Sequence, residues 1–321
     1  MKMNSLVKKK INIFSGLCDN DSLHIAFAID DNFVKPTGVA IASIYHNNPN
    51  QCFHFHIFTA SIHDDNLDKI KKINVGNSSL TIHVFDESLF FNYQTLNNLP
   101  HSMYYRLVIP GILSGITNRV LYLDADIICN GSISELVHAN IDNYVIAASL
   151  DLAVISNHSE YISNLGLDKK DNYFNSGVML INIDKWNDGH VLSDFNEIIF
   201  NQKYKFPDQD VLNITLQHKV LLLDGKFNTF SINYESYNTA AFVHFAGENK
   251  PWTSIVNKSN LYMKYYELSP WGDEELPIPK EYKECKKYAS KLRKEGHYLD
   301  STFWFFKYVV KKLLPGCFSK K

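Results

Sequence analysis

The sequence lacks several features that would assign it to a large class of proteins. None of its apolar runs approaches the roughly 18 residues needed to cross a bilayer, so no transmembrane helix is expected. The glycine-rich G-x-G-x-x-G turn that binds dinucleotides is absent. The five cysteines, an odd number without a CxxC pair, favour reduced thiols in a cytosolic setting over a disulfide framework.

A large net charge is also missing, but the value of −2 hides an uneven distribution. Residues 280–321 contain 12 basic and 4 acidic side chains, whereas the rest of the chain contains 20 basic and 30 acidic. An acidic body without a basic stripe argues against nucleic acid as a partner. The basic, aromatic tail favours attachment of a globular enzyme to an anionic surface.

A convincing secretion signal is missing as well. Residues 1–10 are basic, but the apolar stretch at 11–18 is short and interrupted by polar residues. We therefore expect a cytoplasmic protein in which residues 1–22 form a leader of low order.

From residue 23 onward, apolar runs of strand length alternate with helical patterns, which predicts a doubly wound α/β sheet. Strands are predicted at 24–29, 53–58, 80–85, 120–123, 143–150 and 178–183, and helices at 37–46, 64–73 and around 104–109. A proline-rich break at 276–279 separates this domain, residues 23–276, from a tail at 277–321.

The most informative segment is LYLDAD, residues 121–126, in which an apolar run leads into two carboxylates. Such a run predicts a parallel strand buried on both faces, and open α/β sheets bind ligands at the C-terminal ends of such strands. Asp124 and Asp126, on either side of Ala125, point to one side of an extended chain. Like charges this close are costly unless a cation lies between them. A metal site and a solvated acidic turn remain alternatives here.

A histidine after a second apolar strand completes such a metal site in principle. His244 ends the run 240–243, a glycine turn follows at Gly247, and Lys250 comes soon after. Imidazole with two carboxylates suits Mn²⁺ better than Ca²⁺, and Lys250 would lie near phosphates held by the metal. Taken alone, His244 is more typical of a structural residue; paired with the two aspartates, it favours the metal.

Other polar residues follow predicted strands or begin a helix. Asp30 and Asn32, after the first strand, suit hydrogen bonding to a nucleobase and ribose, and helix capping is an equal alternative. Asp151 follows another strand at the ligand-binding edge. The sequence PDQD begins a helix, where capping explains Asp208 but not Gln209.

The tail is predicted to form two helices. In the second, Phe303, Phe306, Val310 and Leu313 share one face with lysines beside or opposite them. An amphipathic helix of this kind favours association with an anionic lipid surface. Packing of the same face on the body is the structural alternative.

Eight segments in a fixed order resemble glycosyltransferase family 8, and within it the lipopolysaccharide core hexosyltransferases of Gram-negative bacteria. The segments are FAIDDNF (27–33), MYYRL (103–107), LYLDADI (121–127), YFNSGVMLINIDKW (173–186), PDQDVLN (207–213), FNT (227–229), HFAGENKPW (244–252) and SPW (269–271). The resemblance covers residues 23–275 and extends to the basic tail. It implies a GT-A fold, a Rossmann-like α/β domain followed by a small helical extension.

The resemblance also implies a retaining transferase that takes a hexose from a UDP-sugar, and it implies roles for matched residues. Asp124, Asp126 and His244 would bind Mn²⁺, or Mg²⁺ in its place, which bridges the diphosphate. The uridine would be held by Ala28, Asp30 and Asn32, and the diphosphate by Gly247 and Lys250. The donor sugar would be surrounded by Arg106, Asp151, Asn175, Gly177, Asp208 and Gln209, and Ala125 is a further candidate for binding the donor.

Gln209 matches the family's candidate group on the far face of the sugar, and Asp208 and Asp151 are the other candidate catalytic residues. A neutral amide is a poor nucleophile, which favours a front-face substitution in which the leaving phosphate accepts the acceptor's proton. The expected acceptor is the outer core of lipopolysaccharide at the cytoplasmic face of the inner membrane. Residues 227–235 lean toward a 1,3 linkage, and the choice between UDP-galactose and UDP-glucose stays open.

Three other functions remain as alternatives. A metal-dependent phosphohydrolase would use the same ligands, but the sequence lacks a second acidic cluster for a two-metal site. A non-catalytic sugar-binding protein and a glycogenin-like protein that glucosylates itself are the others. The stretch between Tyr234 and His244 is shorter than in the lipopolysaccharide subgroup, which bears on the acceptor.

Overall fold

The computed structural model describes residues 3–19, 22–95, 100–167, 172–231, 236–247, 250–253, 260–279 and 281–313. The chain divides into two compact units, Met1–His244 and Phe245–Lys321. Pro277, where the sequence predicts a domain boundary, therefore lies inside the second unit. The second unit begins at Phe245, before the proline-rich segment at 276–279.

An eight-stranded mixed sheet forms the centre of the first unit. Its strands are β1 (Val7–Phe14), β2 (Leu23–Ala28), β3 (Phe53–Thr59), β4 (Ser79–Phe85), β5 (Arg119–Leu123), β7 (Ile146–Leu150), β8 (Phe174–Asn182) and β9 (Val220–Leu223). They lie in the order β1-β4-β3-β2-β5-β8-β7-β9. Strands β2 to β5 run parallel, whereas β1 and β8 are antiparallel to their neighbours. The predicted α/β sheet is confirmed. Within it, β5 is parallel to β2 on one side and antiparallel to β8 on the other.

Helices connect these strands. They are α1 (Val34–Asn47), α2 (Asp64–Ile70), α3 (Ile109–Leu113), α4 (Ser134–Val137), α5 (Leu152–Asn157), α6 (Ser159–Ser163), α7 (Ile183–Asp188), α8 (Val191–Ile199) and α9 (Pro207–Thr215). Around residues 104–109 the structure has a 3-10 helix, His101–Leu107, followed by α3. Its apolar side chains are buried in a core that includes Tyr104, Tyr105 and Phe195.

The prediction of a leader of low order is wrong for the part of residues 1–22 that the structure describes. β1 pairs antiparallel with β4, with Ile11 opposite Ile82 and Lys10 opposite His83. Lysines 8 to 10 are exposed, and lysines on an edge strand discourage further strand pairing. The basic residues that suggest a solvated leader in the sequence therefore lie on the edge strand of the sheet.

The expectation of reduced thiols is wrong for two of the cysteines. Cys18 and Cys52 form a disulfide, with their Cα atoms 5.4 Å apart. Cys18 follows β1 and Cys52 precedes β3, and these strands lie on either side of β4. Strand order therefore joins cysteines that their spacing does not pair. Cys129 and Cys285 are free and buried, and Cys317 lies outside the described residues.

A second, three-stranded sheet is built from β6 (Ile127–Cys129), β10 (Thr229–Phe230) and β11 (Phe242–His244). Its order is β10-β11-β6, with β11 parallel to β10 and antiparallel to β6. Asp126 immediately precedes β6 and His244 is the last residue of β11. This sheet therefore holds two predicted metal ligands.

The second unit contains the two tail helices that the sequence predicts. After α10 (Asn260–Glu267), α11 (Tyr282–Lys294) and α12 (Tyr298–Leu313) form a hairpin. Glu281 and Glu284 make a capping box at the start of α11. Ser301 in α12 donates to the Ala289 carbonyl of α11 at 2.8 Å. Among the described residues, no helix combines the length and apolar composition that a membrane span requires.

A row of histidines crosses the parallel part of the large sheet. His24 Nδ1 lies 2.8 Å from His56 Nε2, and His56 Nδ1 lies 3.0 Å from His83 Nε2. All three side chains are buried. Burial, and secondarily His54 for His24 and Lys10 for His83, lowers the pKa of His24 and of His83 to about 4. Burial and then His83 lower the pKa of His56 well below its ordinary value.

These histidines predict an acid-sensitive fold. The unfolded chain binds protons near pH 6.5 that the folded cluster accepts only near pH 4, so acid favours unfolding. We expect the contribution of the cluster to be full above about pH 6.5 and to be lost as the pH falls toward about 4, by up to about 1.4 kcal/mol per pH unit for each histidine. Urea unfolding at about pH 7.5 and about pH 5.5 measures this loss.

Two variants test the assignment to the buried row. His83→Phe retains a ring to stack on Phe58 and removes one titrating group, so we expect a smaller loss of stability between the two pH values. His63→Asn changes an exposed histidine and should leave the loss unchanged. An equal pH dependence in wild type and His83→Phe would contradict the assignment.

Candidate active site

Two adjacent parallel strands bring predicted site residues to one edge of the large sheet. β2 and β5 pair with Ala26 opposite Tyr122, so Ala28 and Asp124 leave the sheet side by side. Asp30 then caps a short 3-10 helix by accepting a hydrogen bond from the backbone of Asn32 at 2.9 Å. Burial raises the pKa of Asp30, and the backbone hydrogen bond opposes this rise.

Asp124, Asp126 and His244 converge on one point. Each offers one ligand atom, and these atoms all lie within 4.8 Å of one another. His244 Nε2 is 3.2 Å from Asp126 Oδ1 and 3.9 Å from Asp124 Oδ2. Two carboxylate oxygens and one imidazole nitrogen at these separations fit a divalent cation such as Mn²⁺ or Mg²⁺, with imidazole favouring the former.

The pairing of β11 with β6 explains why residues so far apart in the chain meet. His244 lies opposite Ile127 in the antiparallel ladder. Asp126 is the residue before Ile127, so the register places its carboxylate one position from the histidine. The predicted metal set is therefore assembled by backbone hydrogen bonds between two short strands.

Gly177 in β8 leaves room for these ligands. A Cβ atom at this position would lie 2.5 Å from His244 Cε1 and 2.8 Å from Asp124 Oδ2. The Gly177 carbonyl accepts a hydrogen bond from the Asp124 backbone at 2.8 Å. A side chain here would displace the histidine or the aspartate, so the close approach requires glycine.

A buried arginine supplies positive charge beside these carboxylates. Arg106 Nη2 is 2.9 Å from Asp124 Oδ1, and Nη1 is 3.3 Å from Asp208 Oδ2. Burial opposes the charge of Arg106, but Asp124 and then Tyr122 and Asp208 raise its pKa above the ordinary value. Burial raises the pKa of Asp208, while Arg106 opposes that rise.

Tyr122 fixes the orientation of Asp124. Its hydroxyl donates to Asp124 Oδ1 at 2.6 Å, the same oxygen that accepts from Arg106. The ring of Tyr122 also lies under the guanidinium of Arg106, 4.6 Å from its centroid. Oδ1 is therefore held by two donors, while Oδ2 faces His244.

Gln209 lies in a buried amide network with Asp151 and Asn175. Gln209 Nε2 donates to Asp151 Oδ2 at 3.0 Å, and Gln209 Oε1 accepts from the Ser176 backbone at 3.1 Å. Asn175 Nδ2 donates to the same Asp151 oxygen and to Gln209 Oε1, both at 3.0 Å. Asp151 thus accepts a hydrogen bond from each of the two amides and fixes their orientation.

Asp210 has a structural role at the start of α9. It is fully buried and accepts hydrogen bonds from the hydroxyls of Tyr161 at 2.6 Å and Tyr173 at 2.5 Å. Its Oδ2 also accepts from the Phe206 backbone at 2.8 Å. These bonds set the start of the helix that presents Asp208 and Gln209.

The remaining two predicted residues belong to the second unit. The ammonium of Lys250 donates to the Phe245 carbonyl at 2.9 Å. Gly247 adopts a φ of 91°, a conformation that favours glycine. Their expected contacts with a diphosphate stay predictions.

The structure joins the predicted metal and sugar residues of the first unit in one cluster. Its members are Arg106, Asp124, Asp126, Asp151, Asn175, Gly177, Asp208, Gln209 and His244. Three further participants, Tyr122, Ser176 and Asn228, were not assigned a role from the sequence. Each lies within a segment that carries the family resemblance, but only the hydrogen bonds reveal what it contacts.

The fold and this cluster of acids, histidine and arginine at the strand ends define a class: a glycosyltransferase with a GT-A fold. The solved galactosyltransferase LgtC, in complex with donor and acceptor sugar analogues, matches with a TM-score of 0.66 at 24% identity, covering 81% of this chain and 99% of LgtC. The bifunctional glycosyltransferase WbbM matches with a TM-score of 0.67 at 22% identity, covering 81% of this chain and 52% of WbbM. The predicted fold is confirmed.

The sequence profile of glycosyl transferase family 8 matches residues 24–256, and that of the family 8 C-terminal region matches residues 258–312. The chain belongs to glycosyltransferase family 8, and it is a hexosyltransferase. The lipopolysaccharide 1,3-galactosyltransferase of Salmonella typhimurium is 32% identical over 315 residues, 92% of this chain and 93% of the relative. The lipopolysaccharide glucosyltransferase WaaO of Escherichia coli is 30% identical over 313 residues, 92% of each chain.

Proposed function

We propose that this protein transfers galactose or glucose from a UDP-sugar to the growing outer core of lipopolysaccharide, with retention of anomeric configuration. The observation that carries the proposal is the convergence of Asp124, Asp126 and His244 beside the buried Arg106. The names of the similar lipopolysaccharide galactosyl- and glucosyltransferases support the acceptor. A 1,3 linkage is proposed from the resemblance of residues 227–235, of which 232–235 lie outside the described residues.

The donor would lie across the strand ends. Ala28, Asp30 and Asn32 would hold the uridine, since they leave β2 beside the metal ligands on β5. Gly247 and Lys250 would contact the diphosphate. Arg106, Asp151, Asn175, Gly177, Asp208 and Gln209 would surround the hexose.

Mn²⁺, or Mg²⁺ in its place, would be held by Asp124, Asp126 and His244. When bound, the metal would neutralise the charge that develops on the departing diphosphate. Tyr122 and Arg106 hold one oxygen of Asp124 away from this point. The chain therefore presents the other oxygen, Oδ2, without having to reorganise the carboxylate.

The arrangement of Gln209 favours front-face substitution. Both ends of its amide are hydrogen-bonded, to Asp151 and to the Ser176 backbone, and a neutral amide held this way would stabilise a cationic sugar through its carbonyl dipole. The acceptor hydroxyl then forms the new bond to the anomeric carbon, the bond to the UDP oxygen breaks, and the proton passes to the leaving phosphate.

A covalent mechanism is the competing account of retention, and it can be tested directly. We expect intact-mass spectrometry of the enzyme quenched during turnover of a slow fluorinated UDP-sugar to show no glycosyl adduct. The reason is that Asp208 pairs with Arg106 and Asp210 is occupied by two tyrosines. An adduct mapped to Asp208, Gln209 or Asp210 would overturn front-face substitution.

The proposed reaction is tested by incubating the protein with each UDP-hexose, Mn²⁺ and truncated lipopolysaccharide. We expect label in lipopolysaccharide from one UDP-hexose, loss of transfer in EDTA, and an α-linkage in the product by NMR. Asp126→Ala should lower transfer by at least about a thousandfold, because one of three metal ligands is lost. The exposed Asp142→Ala is the matched control and should keep full activity.

Each other outcome identifies a different function. Label on the protein itself would favour a glycogenin-like acceptor, and phosphate release from several nucleotides without sugar transfer would favour a phosphohydrolase. Full transfer in EDTA would contradict the metal assignment. An absence of turnover or binding with any UDP-hexose would contradict the proposal as a whole.

We further propose that α12 attaches the enzyme to an anionic membrane surface, which would place it at the cytoplasmic face of the inner membrane. Phe303, Phe306 and Leu313 are 54, 66 and 71% exposed on this helix. Lys307 lies over the rings of Phe303 and Trp304, at 4.4 and 4.3 Å from their centroids. Exposed aromatic rings with basic side chains at their edge match the chemistry of an anionic lipid interface.

Vesicle sedimentation tests the membrane proposal. We expect the protein to bind vesicles that contain phosphatidylglycerol, and to bind neutral phosphatidylcholine vesicles weakly. Phe303→Ser with Phe306→Ser should weaken binding by at least about tenfold, since two exposed rings that would enter the lipid are lost. Phe200→Ser, which removes a ring that is 59% exposed in the first unit, is the control. Equal binding by the double variant and wild type would contradict the proposal.

A further inference from the structure

A continuous chain of buried side chains connects the metal-binding histidine to the amide network of Gln209. His244 Nδ1 lies 2.9 Å from Asn228 Oδ1. Asn228 Nδ2 donates to Asn175 Oδ1 at 2.8 Å. Asn175 Nδ2 in turn donates to Asp151 and to Gln209, both at 3.0 Å. Asn228 therefore links the two halves of this chain.

The direction of every bond follows from one backbone group. The Gly177 N–H can only donate, and its acceptor is Asn175 Oδ1 at 3.0 Å. The atom of Asn228 that faces the same oxygen must therefore be its NH₂ group. Asn228 then presents its carbonyl oxygen to His244 Nδ1. Since this oxygen can only accept, Nδ1 must carry a proton and donate it to the hydrogen bond.

The proton on Nδ1 determines the state of the other ring nitrogen of His244, Nε2. A neutral imidazole carries one proton, so a proton on Nδ1 leaves Nε2 with a free lone pair. Nε2 is the atom that faces Asp124 and Asp126. Hydrogen bonding behind a metal-binding histidine fixes its ring orientation and raises its basicity, and the loss of such a partner typically costs about 10- to 100-fold in metal affinity.

We infer that Asn228 is a positioning residue that holds His244 in the Nδ1–H form and thereby prepares Nε2 to bind the metal. It lies in the 3-10 helix Gly225–Asn228, directly before β10. β10 pairs with β11 so that Phe230 lies beside His244, and the Phe230 ring meets the imidazole at a centroid distance of 5.7 Å. The backbone register and the hydrogen bond therefore fix the same ring. This inference rests on the proposed metal site.

Two substitutions at Asn228 separate its two bonds. Asn228→Leu removes the acceptor for His244 and the donor to Asn175 while nearly conserving volume. Asn228→Asp keeps the acceptor for His244, replaces the donor to Asn175 with an oxygen, and adds a buried negative charge. We expect Asn228→Leu to weaken Mn²⁺ binding by about 10- to 100-fold, and Asn228→Asp to bind Mn²⁺ at least as tightly as wild type.

Mn²⁺ affinity is measured by the EPR signal of the free ion, with Mn²⁺ alone and with UDP present. Asn182→Leu is the matched control, because the side chain of Asn182 bonds to backbone groups at Ile141 and Lys185, away from the metal ligands. Thermal unfolding of each variant accompanies the titrations, so that lost affinity is compared among folded proteins. Asn182→Leu should retain wild-type affinity for Mn²⁺.

A spectroscopic measurement reads the histidine directly, without metal or turnover. Long-range ¹H–¹⁵N correlation spectra of protein labelled at the histidine rings should show His244, assigned by its loss in His244→Gln, as the Nδ1–H form. Asn228→Leu should convert it to a mixture of tautomers, whereas Asn228→Asp should preserve the single form.

The outcomes distinguish this inference from the proposed metal site. Wild-type Mn²⁺ affinity in Asn228→Leu, together with an unchanged tautomer of His244, would overturn the role of Asn228. Wild-type affinity in both Asp126→Ala and His244→Gln would instead overturn the metal site itself. Weakened Mn²⁺ binding in Asp126→Ala and His244→Gln, with wild-type binding in Asn228→Leu, would support the metal site and contradict the role of Asn228.

Discussion

The structure of the site depends on a buried guanidinium. Asp124 and Asp126 follow β5, Asp208 lies in the first turn of α9, and all three carboxylates act on Arg106. Like charges gathered in a desolvated setting either take up protons or move apart. Arg106 pairs with Asp124 and Asp208, and its Nε donates to the Met103 carbonyl. A planar fork of five donors can make all these bonds at once, which a lysine ammonium cannot. Arg106 therefore offsets part of the negative charge of these carboxylates in the folded protein, whether or not a metal ion is bound.

Much of this fold is readable from the sequence because the large sheet is buried. Continuous apolar runs predict β2, β3, β4, β5, β7 and β8 within a few residues of their observed bounds. The failures occur where local composition does not record the partner. The lysines of β1 look like a solvated leader until β4 is seen beside them. Cys18 and Cys52 form a disulfide because the end of β1 and the start of β3 lie on either side of the same end of β4.

The candidate site was predictable to a similar depth. Residues whose chemistry is rare at their position, such as two carboxylates after an apolar strand, identify themselves, and the order of family segments supplies the histidine that joins them. Side chains that act through another residue give no such signal. Tyr122 resembles any core tyrosine, and Asn228 resembles any capping asparagine. Their roles follow from the oxygen that each one reaches, Asp124 Oδ1 for Tyr122 and Asn175 Oδ1 for Asn228, and only three-dimensional contacts show this.

The two halves of the site differ in how they are held, and the difference fits their proposed tasks. Asp124 keeps one carboxylate oxygen free of its two donors, as a group that is to bind a cation should. Gln209 has its nitrogen and its oxygen both engaged by buried groups, so its amide is held in one orientation. A group that must attack and form a bond has to move toward its target, whereas a dipole that stabilises developing charge works best when it is already fixed. The rigidity of Gln209 therefore argues for charge stabilisation over nucleophilic attack, and the shared bonds through Asn175 and Asn228 extend that rigidity to the ring of His244.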